Sequence, residues 1–175
     1  MAGTPPPDPA VADRAVRPKE ELRPKAVLFL CTGNYYRSRY AEEVFNFRAR
    51  TEGLTWRAFS RGLAEQSSPE NVGPMSRFAL DALGARTIAP DGALRFPIPC
   101  SPADFDQASL IIGLKDAEHR PMVEQRFPQV ATRIEYWHVD DIEFAPPAIA
   151  LAMIDREIEV LILRLSEGIG GHVRN

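Results

Sequence analysis

The sequence has little cysteine, no long apolar run and no excess of positive charge. Its 175 residues include two cysteines, Cys31 and Cys100, too few for a disulfide framework or a tetrahedral zinc cluster. No stretch approaches the ~20 apolar residues that a membrane-spanning helix needs. With 21 Lys and Arg against 24 Asp and Glu, the net charge of -3 gives no basic field for nucleic acid. We therefore expect no metal or other cofactor, and neither a membrane nor a nucleic acid as partner.

The rest of the composition is that of an ordinary globular protein, with 45% hydrophobic and 26% charged residues. Residues 1–24 contain six prolines and no aromatic residue, which predicts a disordered Pro-rich tail before a single domain over 25–175. The first nine residues carry prolines and an aspartate where a secretory signal needs an apolar stretch. We expect a cytoplasmic protein.

Strand and helix patterns alternate along the predicted domain. The apolar run 26–30 is typical of a strand that is buried on both faces, and Ser38 is placed to cap the helix that follows. Further strands are predicted at 56–59, 110–112 and 134–139, with helices that begin near Pro74, at Asp116 and after Asp141. This alternation predicts an α/β fold with three layers, a four-stranded parallel sheet with helices on both faces. Chemistry is then expected at the carboxyl ends of the strands.

The loop after the first strand is the strongest candidate for a phosphate-binding loop. It consists of Cys31, Thr32, Gly33, Asn34, Tyr35, Tyr36, Arg37 and Ser38. Gly33 and Asn34 tolerate unusual backbone angles, so successive N–H groups can turn inward at the start of a helix and surround an anion. In that setting the pKa of Cys31 is expected to fall from ~8.5 into the range ~3.5–7.5, and Arg37 to hold two phosphoryl oxygens. Ser38 can hydrogen-bond the sulfur.

Each of these residues also has an ordinary structural explanation. A cysteine at the end of a buried strand is often just a small apolar side chain. An arginine at a helix start, however, is disfavoured by the helix dipole, which supports a functional reason for Arg37. The loop after the fourth strand holds Asp140 and Asp141, either of which could protonate a leaving group or merely cap the next helix. The alternation along 134–139 does not decide between them.

The segment Val27–Ser38, followed by Ala41-Glu42, resembles the signature of the low-molecular-weight protein tyrosine phosphatases. The resemblance covers most of 25–168 and implies that Cys31 is the nucleophile, Arg37 the phosphate-binding cation and Asp141 the general acid. It also implies that Ser60 supports Asn34. The expected reaction is hydrolysis of a phosphotyrosyl protein or a small aryl phosphate through a cysteinyl phosphate, with inorganic phosphate as product.

The sequence departs from this family's pattern at three positions: Tyr36 replaces a second cysteine that many members carry, and Arg39 and Ile142 replace prolines. Two other functions stay open. Arsenate reduction on the same scaffold usually relies on further cysteines, of which the chain offers only Cys100, and the loop could also bind phosphate without catalysis.

Several other side chains near the predicted site carry less information. Tyr35, Tyr36 and Phe144 can wall a pocket for a phenyl ring or belong to the core. Because no metal-ligand spacing links them, the three histidines are interpreted as surface or strand-edge residues: His119, His138 and His172. Lys115, near the carboxyl end of the third strand, is interpreted as a solvated side chain.

Overall fold

The structure, a computed structural model, describes residues 25–170, so the predicted tail 1–24 and residues 171–175 lie outside the described residues. The four strands are β1 (Lys25–Cys31), β2 (Trp56–Gly62), β3 (Leu110–Gly113) and β4 (Ile134–Tyr136). The five α-helices are α1 (Arg37–Thr51), α2 (Arg77–Ala85), α3 (Pro102–Gln107), α4 (Asp116–Arg126) and α5 (Pro147–Gly170), and a 3-10 helix spans Pro128–Arg133.

All neighbouring strands pair in parallel, in the order β2-β1-β3-β4, which confirms the predicted four-stranded parallel sheet. β1 is an interior strand, paired with β2 on one edge and β3 on the other, and six of its seven residues are buried. Its last residue, Cys31, pairs with Gly62 of β2. The nucleophile candidate therefore lies at the carboxyl edge in the middle of the sheet.

Alternate side chains of β1 enter two separate cores. Val27, Phe29 and Cys31 pack on one face together with residues of α1, α2 and α5. Leu28 and Leu30 pack on the opposite face against residues of α3 and α4. The predicted arrangement of three layers, with helices on both faces, is confirmed. In the part of the chain from 25 to 170, no helix is both long enough and apolar enough to cross a bilayer.

Some predicted boundaries are wrong. Helix α1 begins at Arg37 with Tyr36 as its capping residue, so Ser38 lies inside the first turn rather than at the cap. β4 ends at Tyr136 instead of Val139, because only an isolated antiparallel bridge between Lys115 and His138 continues the pairing. Helix α2 begins three residues after Pro74, and α5 continues two residues beyond Gly168. The short helix α3 and the 3-10 helix were not predicted.

Gly113 at the end of β3 provides a test of the packing between β3 and β4. A Cβ at this position would lie 2.7 Å from Cδ1 and 2.8 Å from Cε1 of Tyr136. Movement of the Tyr136 ring would also disturb its contact with the Arg120 guanidinium, which lies 4.4 Å from the ring centroid. We expect Gly113→Ala to lower the free energy of unfolding by ~1–3 kcal/mol through overpacking.

The matched control is Gly84→Ala in helix α2, where an added Cβ would meet no atom within 4 Å. Alanine there should raise the free energy of unfolding by ~0.5–1 kcal/mol, because it restricts the unfolded chain. Urea unfolding of the two variants and the parent measures both effects. Equal stabilities for the two variants would contradict the tight contact at Gly113.

Candidate active site

The loop between β1 and α1 lies directly on the neighbouring strand. The backbone N–H of Leu63 donates to the carbonyl of Cys31 (2.8 Å), and that of Ala64 donates to the carbonyl of Thr32 (2.9 Å). A Cβ on Gly62 would approach Thr32 O to 3.1 Å and Asn34 N to 3.2 Å, so a side chain there would push the loop outward. Gly62 thus lets the loop sit close to the sheet, a role that the sequence did not reveal.

Cys31 and Ser38 meet at the start of helix α1. The sulfur of Cys31 lies 3.0 Å from the hydroxyl oxygen of Ser38, and both side chains are buried, although Cys31 also lines an open cleft. Because α1 begins at Arg37, Ser38 lies in the first turn of the helix, and its hydroxyl contacts the sulfur at the end of β1. The sulfur of Cys31 and the hydroxyl of Ser38 therefore both lie at the positive end of the α1 dipole.

Asn34 is the centre of the loop's hydrogen bonding. Its backbone is in the left-handed region, with φ 50°, and its side chain is fully buried. Asn34 Nδ2 donates to Ser38 Oγ (3.1 Å) and to Ser60 Oγ (2.8 Å). Asn34 Oδ1 accepts from the backbone N–H of Ile98 (3.0 Å) and from Arg95 Nη1 (3.2 Å). The amide therefore connects the loop with β2 and with the segment that precedes α3.

A partly buried ionic cluster lies behind Asn34. The hydroxyl of Ser60 donates to Glu42 Oε2 (2.5 Å), and Arg95 Nη2 reaches the same carboxylate at 2.6 Å. Arg39, the residue that replaces the family's proline, is fully buried and donates to the carbonyls of Arg95 (2.7 Å) and Gly92 (2.5 Å). These charges fix the loop from behind. Sequence reasoning missed Arg95, since it lies in a segment without helical or strand periodicity.

Arg37 is almost completely buried, with 1% of its side chain exposed, and each of its terminal nitrogens makes two contacts. Nη1 donates to Glu118 Oε2 (2.9 Å) and to the carbonyl of Val139 (3.1 Å). Nη2 donates to Glu118 Oε1 (2.9 Å) and to Asp141 Oδ2 (2.5 Å). Burial is the largest influence and opposes the charge of Arg37, but the hydrogen bond to Glu118 and the nearby negative charges together outweigh it and raise the pKa of the guanidinium.

The two aspartates of the second loop have different positions. Asp141 lines the cleft and contacts Arg37, while its other oxygen accepts from the N–H of Ile142 (2.7 Å). Asp140 is paired with Lys115, which is therefore engaged in an ion pair rather than merely solvated, and does not line the cleft. Geometry thus distinguishes the two carboxylates where the alternation of the strand could not.

The cleft has a volume of about 430 Å³ and partly aromatic walls. The hydroxyl of Tyr35 donates to the carbonyl of Val72 (2.7 Å), which fixes one wall. Tyr36 is largely buried, and this burial raises the pKa of its phenol to about 12. Phe144, expected as a wall, is 77% exposed and does not line the cleft; Phe78 does so instead. Other lining residues that the sequence did not indicate are Ser68, Glu70, Asn71, Ser76, Arg77 and Glu143.

Cys100 is separated from Cys31 by the sheet. Cys31 belongs to the core of α1 and α5, while Cys100 belongs to the opposite core beside α3. Burial raises the pKa of the Cys100 thiol to about 12. Cys100 therefore has neither the position nor the ionisation that a partner thiol of Cys31 would need. Within the described span 25–170, no three His, Cys, Asp or Glu side chains are grouped to hold a metal ion.

These features define a class of α/β proteins that place a cysteine at a strand end beside an arginine at the start of the next helix. The sequence model of the low molecular weight phosphotyrosine protein phosphatases matches residues 26–143. The chain belongs to this family, and membership supports a phosphatase activity. No curated protein matches the chain.

Solved structures show the same fold. The low molecular weight protein tyrosine phosphatase of T. tengcongensis is 26% identical, covers 82% of this chain and 99% of its own, and gives a TM-score of 0.65. The Streptococcus pyogenes phosphatase SP-PTP is 20% identical over 86% of this chain and 99% of its own, with a TM-score of 0.70. The YwlE arginine phosphatase, a Bacillus subtilis protein, is 23% identical over 85% of this chain and 98% of its own, with a TM-score of 0.65.

Two substitutions of Asn34 separate the effect of its side chain from that of its backbone. Asn34→Gly keeps access to the left-handed region but removes the amide, whereas Asn34→Ala removes the amide and adds strain. We expect both to weaken protection of Cys31 by phosphate against iodoacetamide. We also expect the alanine variant to be less stable than the glycine variant by ~1–2 kcal/mol in urea unfolding. Unchanged phosphate protection in both variants would contradict the role assigned to the amide.

Proposed function

We propose that the protein hydrolyses phosphate monoesters, with phosphotyrosine in proteins as the substrate class, through a cysteinyl-phosphate intermediate. The observation that carries the proposal is the convergence of Cys31, Arg37 and Asp141 on one cleft at the start of helix α1. A nucleophile, an oxyanion-binding cation and a proton donor are the three groups that in-line phosphoryl transfer requires. Their assignment as nucleophile, cation and acid is part of the proposal.

In the proposed first step, the Cys31 thiolate attacks phosphorus and the bond to the phenolic oxygen breaks. In this proposal the backbone N–H groups of Thr32 to Ser38 and the guanidinium of Arg37 stabilise the equatorial oxygens. The protonated carboxyl of Asp141 transfers its proton to the departing phenolate, which is a poor leaving group because its conjugate acid has a pKa near ~10. The products of this step are the phenol, the cysteinyl phosphate and the Asp141 carboxylate.

In the second step, water attacks the phosphorus of the cysteinyl phosphate. Asp141 now accepts a proton from that water, the S–P bond breaks, and inorganic phosphate and the Cys31 thiolate are released. The 3.0 Å contact between Ser38 Oγ and the sulfur supports this step, since a hydroxyl donor stabilises the leaving thiolate. One structural relative supports the covalent intermediate: an arginine phosphatase whose active-site cysteine is mutated to serine carries a phosphorylated serine there.

The preference for an aryl phosphate is supported by the aromatic walls at Tyr35, Tyr36 and Phe78. The Vibrio vulnificus protein Wzb, which shares the fold at 16% identity and a TM-score of 0.66, is known in complex with benzylphosphonate, an aromatic phosphonate. Arsenate reduction through a cysteine relay is less well supported, because Cys100 lies on the far side of the sheet.

The proposal is tested by substituting the two neighbouring aspartates. We expect Asp141→Asn to lower kcat for phenyl phosphate by ~10²- to 10⁴-fold and to affect para-nitrophenyl phosphate much less, because a good leaving group needs little protonation. Asp140→Asn is the matched control and should leave both rates close to those of the parent. Cys31→Ala should abolish turnover of both esters.

Substrate class is tested by comparing a phosphotyrosyl peptide with the corresponding phosphoseryl and phosphoarginyl peptides. The proposal predicts the highest kcat/KM for phosphotyrosine. A higher kcat/KM for phosphoarginine would replace the substrate assignment but keep the mechanism, whereas equal activity of Cys31→Ala and the parent would overturn both.

A further inference from the structure

Glu118, in the first turn of helix α4, does not line the cleft but contacts Arg37 with both carboxylate oxygens. The two Arg37–Glu118 distances are each 2.9 Å, one from Nη1 and one from Nη2. This is the end-on, two-point geometry in which the inner N–H groups of both terminal nitrogens point at one carboxylate. An arginine held in this way has its guanidinium plane fixed in orientation as well as in position.

Glu118 is itself held by residues on two elements. The hydroxyl of Thr32, the residue after the nucleophile, donates to Glu118 Oε1. Nε2 of the buried His119 lies 3.4 Å from the same oxygen, and Nδ1 of His119 accepts from the backbone N–H of Lys115 (2.9 Å). Burial favours the protonated carboxyl, but His119 and Arg37 together hold the pKa of Glu118 well below its ordinary range. Glu118 thus connects both ends of the phosphate-binding loop to helix α4.

The contacts of Arg37 determine which part of its guanidinium is available to a ligand. Glu118 occupies the end edge, between Nη1 and Nη2, and the carbonyl of Val139 takes the outer N–H of Nη1. Nε makes no hydrogen bond to any residue of the described range 25–170. The remaining side edge therefore consists of the Nε–H and the outer N–H of Nη2, and the latter is paired with Asp141 at 2.5 Å.

We propose that Glu118 is the positioning residue that turns the side edge of the Arg37 guanidinium, Nε and Nη2, toward the equatorial oxygens of the phosphoryl group. The inference rests on the proposed phosphoryl transfer at Cys31. The incoming oxyanion takes the place of Asp141 on Nη2, and this exchange releases the Asp141 carboxyl toward the leaving group. Glu118 stays on the end edge throughout, acts through Arg37 and does not touch the substrate.

The test variant is Glu118→Gln, which keeps the size of the side chain but presents an amide N–H₂ to one of the two Arg37 nitrogens. We expect kcat/KM for para-nitrophenyl phosphate to fall about 10-fold or more, short of the ~10²- to 10³-fold loss that removal of a whole transition-state donor causes. Inhibition by vanadate, a five-coordinate mimic of the transition state, should weaken by a similar factor. Glu118→Asp, which keeps the charge but is too short to span both nitrogens, should fall between Glu118→Gln and the parent.

The matched control is Glu124→Gln, because Glu124 is exposed on the same helix and makes no side-chain hydrogen bond to another described residue. Its kinetics and thermal midpoint should equal those of the parent. A loss of activity in Glu124→Gln equal to that in Glu118→Gln would contradict the proposal.

A double-mutant cycle separates positioning from general support of the fold. A lysine ammonium is not planar, so it has no separate edges that Glu118 could orient toward a ligand. In an Arg37→Lys background the further change Glu118→Gln should therefore have little additional effect on kcat/KM. If the two changes multiply instead, Glu118 does not act through Arg37 and the proposal is overturned.

Protection of Cys31 from iodoacetamide by inorganic phosphate gives a readout that does not require turnover. Weaker protection in Glu118→Gln than in Glu124→Gln supports the role of Glu118 whether or not the protein turns over an ester. Failure of the parent to hydrolyse any tested ester would count against the proposed function but not against this role. Equal protection in the two variants would overturn the role of Glu118.

Discussion

The site depends on one local constraint: the chain must turn sharply at Asn34 while it leaves the centre of the sheet. The turn is possible because asparagine tolerates the left-handed backbone and because its buried amide makes four hydrogen bonds, to Ser38, Ser60, Arg95 and Ile98. Without those bonds the amide would be buried unsatisfied, at a cost of ~1–3 kcal/mol. The turn places Cys31 and the first turn of α1 next to each other, and the rest of the chemistry follows from that proximity.

The second requirement of the site is electrostatic and concerns the pairing of Arg37. A buried guanidinium such as Arg37 is tolerated only when it is paired and hydrogen-bonded. The structure meets this need with two carboxylates, Glu118 and Asp141, so Arg37 is paired within the protein when the site is free. In the proposed mechanism, an oxyanion that exchanges with Asp141 keeps Arg37 paired, so binding of the phosphoryl group would be linked to release of the Asp141 carboxyl. The neighbouring Asp140 is paired with Lys115 and does not line the cleft, which is why the proposal assigns this exchange to Asp141.

The parallel sheet and the position of Cys31 at the end of β1 could be predicted because their signals are contiguous in the sequence. The apolar run of β1 leads directly into the residues Cys31 to Ser38. The contact of Glu118 with Arg37 could not be predicted, because the two residues are 81 positions apart in the sequence. A glutamate in the first turn of a helix is also explained by its favourable interaction with the helix dipole alone. His119 was wrongly interpreted as a surface or strand-edge residue, because a fully buried histidine in a polar helix leaves no periodic signal. The length of β4 was overestimated since alternation continues to Val139 while the strand pairing does not.

Direct detection of the covalent intermediate tests the central claim. The Asp141→Asn variant is mixed with ³²P-labelled para-nitrophenyl phosphate, quenched within milliseconds, and its peptides are analysed for label. The account predicts up to one equivalent of label per protein on the peptide that contains Cys31, and none in Cys31→Ala. Release of para-nitrophenol at a catalytic rate with no label on that peptide would show that Cys31 is not the nucleophile.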